Sequence, residues 1–304
     1  MVIPTHNRRA MLMQAIASVL AQTVTDLEII VVDDGSDDDT TSTVESLGDA
    51  RVVVIRSTTA QGVSDARNRG IAAATGEWIA FLDDDDLWAP GKLERQIDAA
   101  RAGYRNWACS GSVTVDAALA VIAGSPPPEA SVIVAMLPIR NCVPAGASNV
   151  LVRRSLLSVA GTFDVRLRHL ADWDMWIRLA AFGLPAMCST PDVAYRLHGG
   201  NASEDAAAID HELALMAGRY VALRGKREID RAFVLRWAAW NLLRSGRPGA
   251  AARTYARAMI EGDLMSAARA AVAVADRRVV QRRLRRNLNV EWSEVAVRWL
   301  AAFA

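Results

Sequence analysis

The sequence lacks the features that mark several protein classes. Its three cysteines, Cys109, Cys142 and Cys188, form no CxxC pair, which argues against a disulfide framework or a zinc site and favours a reducing compartment. The 35 basic and 34 acidic residues nearly cancel, so the chain lacks the positive field of a general nucleic-acid binder. Pro and Gly interrupt the uncharged stretches, and residues 1–9 contain no hydrophobic leader. We therefore expect a cytoplasmic globular protein without a membrane span.

The first 115 residues alternate short apolar runs with helical periods. Strands are expected at residues 2–3, 27–32, 52–55 and 78–82, with amphipathic helices between them. This alternation predicts an α/β fold with a parallel sheet covered by helices.

The remaining chain divides into two parts. Residues 107 to about 198 mix short apolar runs with turns and favour an irregular α+β arrangement. From residue 204 to 304 the pattern is helical, apart from a break at residues 246–249. We expect one domain over residues 1–203 and a C-terminal helical region over 204–304.

Four consecutive aspartates follow the strand expected at residues 78–82. Parallel sheets bind ligands beyond the carboxyl ends of their strands, and carboxylates crowded there repel one another unless a cation is shared. Hard oxygen ligands suit Mg²⁺ or Mn²⁺, which commonly completes its coordination with substrate phosphates. The alternative is a solvated turn whose aspartates cap the next helix.

A second acidic pair, Asp33 and Asp34, ends the strand at residues 27–32 in a Gly-Ser turn. These carboxylates can accept hydrogen bonds from ribose hydroxyls or from a pyrimidine imide, or they can simply cap the following helix. Arg67 can lie beside a diphosphate or form a surface ion pair. The usual glycine-rich phosphate loops, GxxxxGK[ST] and GxGxxG, are absent from the sequence.

Taken together, five motifs resemble glycosyltransferase family 2 in order and spacing. They are IPTHNR at residues 3–8, SVLAQT at 18–23, EIIVVDDGS at 28–36, ARNRG at 66–70 and GEWIAFLDDDD at 76–86. The resemblance implies a GT-A fold with a Rossmann-like mixed sheet. It also implies an inverting enzyme that takes a sugar from a nucleotide-diphosphate donor, with UDP-sugars favoured, and uses Mg²⁺ or Mn²⁺.

The resemblance also assigns roles to individual residues. Residues 1–115 become the nucleotide-sugar-binding part and 116–203 the acceptor side. Pro4, Thr5 and His6 would line the base pocket, although Tyr is common where His6 stands. The remaining assignments place Asp33 and Asp34 on the base and ribose, Arg67 and Asp84 beside the nucleotide, and Asp83 and Asp85 on the metal.

On the acceptor side, residues 170–179 resemble the family's acidic motif at the start of a helix, with Ala171 in place of the first acid. An inverting displacement needs a carboxylate that removes the acceptor hydroxyl proton. Asp172 is the first candidate and Asp174 the second, while stabilisation of the helix dipole is the alternative for both. His198, in the motif at residues 195–198, would meet metal or phosphate, or would have a structural role.

The C-terminal region carries a cluster of six arginines within residues 277–286, interspersed with Val and Leu. Such a segment can lie on an anionic membrane surface, which would suit a lipid-linked acceptor at the inner face of the cell membrane. A solvated helix face that packs on the domain by its apolar side is the favoured alternative. The sequence does not disclose the oligomeric state.

The function expected from these features is transfer of a sugar to a hydroxyl of a glycan or lipid-linked acceptor, in cell-envelope polysaccharide or glycolipid synthesis. A sugar nucleotidyltransferase is one alternative, although its glycine-rich phosphate loop is not visible before Leu12. A non-catalytic scaffold that keeps the fold is the other, because Ala171 replaces an expected acid.

Overall fold

The computed structural model describes residues 1–198, 206–244, 246–273 and 290–303. Within these ranges the strands are β1 (Val2–Thr5), β2 (Ile29–Asp33), β3 (Val52–Arg56), β4 (Trp78–Ala80), β5 (Leu87–Trp88), β6 (Trp107–Val115), β7 (Val121–Ser125), β8 (Leu151–Arg153) and β9 (Ala186–Arg196). The helices are α1 (Arg9–Leu20), α2 (Thr40–Glu45), α3 (Val63–Ala73), α4 (Lys92–Ala102), α5 (Ala130–Met136), α6 (Arg154–Ala160), α7 (Ala171–Ala180), α8 (Ala206–Arg219), α9 (Val221–Arg224), α10 (Arg231–Arg244), α11 (Pro248–Ile260), α12 (Met265–Ala273) and α13 (Val290–Leu300).

Two sheets form the centre of the molecule. Strands β1, β2 and β3 pair in parallel in that order. The second sheet has the order β4-β8-β6-β9-β5, with β7 added to β6, and only its β6–β9 pairing is parallel. A bridge between Val2 and Phe81 joins the two. This mixed arrangement confirms the α/β class expected from the sequence.

The strand before the four aspartates is shorter than expected. It ends at Ala80 rather than at residue 82, because Phe81 and Leu82 turn away to meet β1, where the Leu82 amide donates to the Val2 carbonyl oxygen at 3.1 Å. The acidic run therefore begins where the two sheets join. On β1 and β2, Thr5 lies opposite Asp33 at the same carboxyl edge.

The middle of the chain is more regular than the sequence suggested. Residues 107–115 form the long strand β6, which is buried along its whole length, and β9 pairs beside it. A strand covered on both faces shows no alternation of polar and apolar residues, which is why the pattern appeared irregular. The 3-10 turn Gly146–Asn149 precedes β8 and lies against both long strands.

The helical C-terminal region is confirmed in the described residues. Helix α10 packs on α11, and α11 on α12, around a small core of Ala239, Leu242, Ala251 and Tyr255. The predicted break is present, because α10 ends at Arg244 and α11 begins with Pro248. None of the described helices is both long and apolar enough to cross a membrane. The arginine cluster at residues 277–286 lies outside the described residues.

Candidate active site

A large cavity opens at the carboxyl ends of β1 and β2 and extends to the C-terminal helices. Its volume is about 900 Å³. One end is lined by Pro4, Thr5, His6, Arg8, Asp34, Arg67, Asp83, Asp84 and Asp85, the middle by Asn141, Gly146, Asp172 and Tyr195, and the far end by Phe233, Arg236, Trp237, Trp240, Tyr255 and Arg269. The structure therefore brings most of the sequence-predicted residues into one space.

The three aspartates 83–85, which we call the acidic corner, are held by separate partners. Asp83 accepts a hydrogen bond from Arg67 at 2.5 Å. Asp84 accepts one from the Thr5 hydroxyl at 2.7 Å. Burial and the neighbouring carboxylate charges raise the pKa of Asp84 above its usual range. A nearby cation would stabilise the ionised Asp84 carboxylate and offset its repulsion from Asp85.

Arg8 supplies part of that positive charge. Its Nη1 atom lies 3.1 Å from Asp84 and 2.8 Å from Asp85. The Nε2 atom of His198 lies 2.9 Å from the same Asp85 oxygen, so the structure places His198 against the acidic corner. Asp86 is different, because its carboxylate accepts from the Ser148 hydroxyl and the Arg196 amide and anchors the corner to β9.

The acidic corner supplies only some of the ligands that a hard divalent cation needs. Within the described ranges, no three His, Cys, Asp or Glu side chains converge on one point. Asp85 and His198 do converge, and the other carboxylates of the corner lie beside them. A magnesium-type site typically uses one or two protein ligands with water and substrate phosphate. The residues present are therefore compatible with a metal that is completed by a substrate diphosphate.

The end of the cavity that contains the residues predicted to bind the base lies at the carboxyl ends of β1 and β2. Asp34 lines it and accepts hydrogen bonds from the backbone amides of Gln61 (2.9 Å) and Gly62 (2.7 Å) at the start of α3. The exposed His6 ring places Nδ1 2.9 Å from the Asp34 carbonyl oxygen, so Nδ1 carries the proton that is donated. The opposite ring nitrogen, Nε2, accepts from the Asn7 side-chain amide at 3.3 Å, and His6 lines the cavity.

Asp33 takes a different position from its neighbour. Its buried carboxylate accepts from the Ser36 amide at 2.8 Å and from the Thr41 hydroxyl at 2.5 Å, which stabilises the turn into α2. Among the described residues that line the cavity, Asp33 is not included. Its contacts stabilise the turn that precedes α2, whereas Asp39 occupies the N-cap position of that helix, so the helix-capping alternative does not describe Asp33.

Asp172 lies at the start of α7 and lines the middle of the cavity. Its Oδ1 atom accepts from the Trp173 amide at 2.7 Å, and Oδ2 accepts from the Asn141 side chain at 3.3 Å. Burial raises the pKa of Asp172 to about 6, against the opposing influence of the Arg67 charge. A carboxylate with this pKa is ionised at neutral pH and is a stronger base than an ordinary aspartate.

Asp174, two residues further along α7, faces the protein interior. It is fully buried, and one oxygen accepts from the Tyr220 hydroxyl at 2.6 Å and from Arg219. The other oxygen accepts from Arg178 at 2.9–3.0 Å. With both oxygens occupied and no place in the cavity wall among the described residues, Asp174 ties α7 to α8.

Two residues of the site, Arg8 and Asn141, were not among the sequence-predicted ones. Arg8 is the last residue of the IPTHNR motif, and its position there was the available signal. Asn141 had no signal, because it lies in an irregular loop. Gly146 has φ +51°, and a Cβ atom there would lie 2.8 Å from the Asp172 Oδ2 atom, so glycine permits the close approach of this turn to Asp172.

Comparison with known proteins gives consistent matches. The family model described as glycosyl transferase family 2 matches residues 1–122. The PGL/p-HBAD biosynthesis glycosyltransferase of Mycobacterium bovis is 34% identical over 192 residues, which cover 61% of this chain and 70% of that protein. The UDP-Glc:alpha-D-GlcNAc-diphosphoundecaprenol beta-1,3-glucosyltransferase WfaP of Escherichia coli is 28% identical over 66% of this chain and 78% of that one. For several other relatives the match spans only 31–38% of their length.

Solved structures give the same result for the fold. S. aureus TarS 1–349 in complex with UDP-GlcNAc superposes with a TM-score of 0.58 at 16% identity, covering 99% of this chain and 91% of that chain. The mannosyltransferase PcManGT of Pyrobaculum calidifontis, in complex with GDP-Man and Mn²⁺, has a TM-score of 0.52 at 20% identity and covers 97% of this chain and 84% of that chain. These likenesses confirm the GT-A fold expected from the sequence.

Proposed function

Because this chain belongs to glycosyl transferase family 2, and is thus a glycosyltransferase that acts on nucleotide sugars, we propose that it transfers a hexose from a UDP-sugar to a lipid-linked acceptor with inversion at the anomeric carbon. The observation that carries this proposal is a single cavity that contains both the acidic corner and Asp172. The Arg67 charge interacts with both groups, because Arg67 pairs with Asp83 and also lowers the pKa of Asp172.

The nucleotide-binding end of the cavity supports a donor of this kind. The ring of His6 and the segment Pro4–Thr5 offer a surface for the base, and the Asp34 carboxylate lies beside it. The UDP-Glc in the name of one relative and the UDP-GlcNAc bound to a structural neighbour favour a uridine donor. A second structural neighbour binds GDP-Man, so UDP-sugars should be tested against guanosine diphosphate sugars as donors.

The acidic corner would hold a divalent cation through Asp85 and His198, with Asp83 and Asp84 beside them. When bound, Mg²⁺ or Mn²⁺ would neutralise the charge that develops on the departing diphosphate. The Mn²⁺ in the structural neighbour supports this assignment. Arg8 and Arg67 flank the same carboxylates and can turn toward the diphosphate once a cation shares the corner.

Asp172 would act as the general base in this scheme. It would remove the proton from the acceptor hydroxyl while the hydroxyl oxygen bonds to the anomeric carbon and the bond to the diphosphate oxygen breaks on the opposite face. Asn141 would hold the Asp172 carboxylate toward the cavity, and Gly146 would allow its approach. Asp174, buried in its ion pairs, would keep α7 in place.

The acceptor class is proposed from the relatives, one of which is named for a diphosphoundecaprenol substrate. We accordingly expect the enzyme to work at a membrane surface, in the synthesis of envelope polysaccharide or glycolipid.

A product assay tests the proposal. The purified chain is incubated with UDP-glucose, UDP-GlcNAc or GDP-mannose, Mn²⁺ and a sugar linked through diphosphate to a short prenyl chain. Release of nucleoside diphosphate with formation of an inverted glycosidic bond supports it. Release of pyrophosphate from a sugar phosphate and a nucleoside triphosphate would instead identify a nucleotidyltransferase. Binding of a donor without any turnover would favour a scaffold role.

A further inference from the structure

The far end of the cavity is built from elements that the proposed transfer chemistry does not use. Trp237 and Trp240 of α10, Tyr255 of α11 and Arg269 of α12 line it together with Arg236. The acidic corner and Asp172 belong to the domain over residues 1–203, whereas all five of these residues belong to the C-terminal helices. The C-terminal helices therefore form the wall of the cavity at this end.

This end of the cavity carries positive charge. Arg236 and Arg269 both donate to the same Oδ2 atom of Asp263, at 2.9 and 2.8 Å. The Ser266 hydroxyl donates to that oxygen as well, at 2.8 Å. Two guanidinium groups on one carboxylate leave one net positive charge, and the two arginine side chains are 29% and 35% exposed. The cavity is thus acidic at the donor end and basic at this end.

An exposed apolar turn is directly connected to the arginine pair. Helix α11 ends at Ile260 and α12 begins at Met265, with Asp263 between them. Ile260, Leu264 and Met265 are 80%, 79% and 61% exposed. Several large apolar side chains exposed together on a short turn typically mark a contact with a lipid or with another protein. Here they adjoin a basic site that opens into the cavity.

We infer that the C-terminal helices bind the lipid diphosphate portion of the acceptor, with its diphosphate on Arg236 and Arg269 and its first prenyl units over the turn that contains Ile260 and Leu264. The inference rests on the proposed function, because that function places the acceptor sugar at Asp172. A sugar linked through diphosphate to a hydrocarbon presents three chemistries in order: hydroxyls, two phosphates and an apolar chain. The cavity presents Asp172 and the arginine pair, and the apolar turn adjoins that pair through Asp263, which gives the complementary series.

Charge complementarity decides between this occupant and others. A carbohydrate acceptor without phosphate would use the aromatic wall but would give the arginine pair no role. An apolar protein partner would cover the turn without needing cations that line the cavity. Guanidinium groups pair well with phosphate oxygens, and this pairing is stronger than a neutral hydrogen bond.

Titration calorimetry with farnesyl diphosphate tests the inference on the full chain. Chelator and excess UDP are present, so that diphosphate binding at the acidic corner does not contribute. We expect saturable binding, weakened about tenfold or more in the double variant Arg236→Ala/Arg269→Ala. The variant Ile260→Ser/Leu264→Ser should weaken binding with little change in melting temperature, because both side chains are already exposed. Asp263→Asn should bind more tightly, since it leaves both cations without their shared anion.

Matched controls and ligands make the outcome decisive. Arg51→Ala removes a distant arginine that pairs with Asp49 and is 34% exposed, and it should bind like the wild type. Pyrophosphate and farnesol should each bind at least about tenfold more weakly than farnesyl diphosphate. Equal binding of pyrophosphate, equal binding of farnesol, or wild-type affinity in the arginine double variant would each overturn the inference. Donor turnover is measured separately: its loss with intact farnesyl diphosphate binding contradicts the proposed function, and the reverse result contradicts only this inference.

Discussion

Replacement of Asp172 by asparagine should lower the transfer rate and raise the stability of the fold, and the two effects can be measured separately. Asparagine keeps the shape of the side chain and can still accept from the Trp173 amide, but it cannot take a proton from an acceptor hydroxyl. Loss of a positioned general base typically costs about 10²–10⁴ in rate. We expect kcat to fall in that range while donor affinity changes little, because the contacts at the acidic corner remain.

The same substitution should stabilise the fold at neutral pH. Burial raises the pKa of Asp172 from its ordinary value of 3.8 to about 6. The folded chain therefore binds the proton more tightly than the unfolded chain, and its stability falls as pH rises from about 4 to about 6. A shift of about two units corresponds to a cost of up to about 3 kcal/mol above pH 6. Asparagine removes this cost, so the melting temperature at pH 7 should rise by up to about 5 °C.

Asp174→Asn is the matched control on the same helix. Its carboxylate is buried and accepts charge-assisted hydrogen bonds from Arg178 and Arg219, so neutralising it weakens both pairs, although Arg219 keeps its second partner Asp164. Each charge-assisted hydrogen bond lost to the buried carboxylate costs about 1.5–3 kcal/mol. The two variants should therefore shift the melting temperature in opposite directions.

Two measurements check the prediction for Asp172. Initial rates of nucleoside diphosphate release from pH 5 to 8 should rise through an apparent pKa near 6 in the wild type. Thermal unfolding over the same pH range should show a difference between wild type and Asp172→Asn that disappears below about pH 4. Full transfer activity in Asp172→Asn, or a fall in its melting temperature like that of Asp174→Asn, would refute the reasoning.

The remaining predictions concern other parts of the site and core. Gly146→Ala should lower kcat about tenfold or more, because a Cβ atom there would lie 2.8 Å from the Asp172 carboxylate and φ is +51°. Steady-state kinetics should show this loss with unchanged donor affinity, and a wild-type kcat would contradict the prediction. Asp85→Asn and His198→Gln should each weaken Mn²⁺ binding in the presence of UDP by about tenfold or more. Electron paramagnetic resonance measures this affinity. Equal Mn²⁺ affinity in both variants and the wild type would show that neither residue is a metal ligand. Burial lowers the pKa of Lys92 to about 7, so wild-type stability should rise between about pH 7 and 10, because in that range the unfolded chain still binds the amine proton that the folded chain has released. Lys92→Met should be more stable than the wild type at pH 7 and lack that rise, and an unchanged pH dependence in chemical denaturation would show that the amine is not buried.

Several features of the fold and the site could be predicted from local sequence alone. The order of strands and helices up to residue 82 follows from periodicity, since buried strands and amphipathic helices each leave a repeating apolar pattern. Membership of Asp34, Asp84 and Asp85 in the site follows from the rule that parallel strands direct their carboxyl ends to one edge. These are properties of short segments, so no knowledge of distant contacts is needed.

Other roles depended on contacts that no local pattern encodes. Asp33 and Asp34 are adjacent and chemically identical, yet one faces the turn into α2 and the other lines the cavity. Asp172 and Asp174 are both acids in the first turn of α7, but two residues along a helix turn the side chain by about 200°, so one reaches the cavity and the other meets α8. Which face of α7 looks into the cavity is fixed by the packing of α7 on its neighbours.

The sequence by itself thus determined the class of fold, the family and the chemical character of the acidic corner, because these depend on residue types in fixed local order. Only the tertiary structure decided which carboxylate of α7 faces the cavity, that Arg8 and His198 meet at Asp85, and that the C-terminal helices line the same cavity. Those outcomes arise from side chains far apart in sequence that compete for the same buried space, and this competition is settled only when the whole chain is packed.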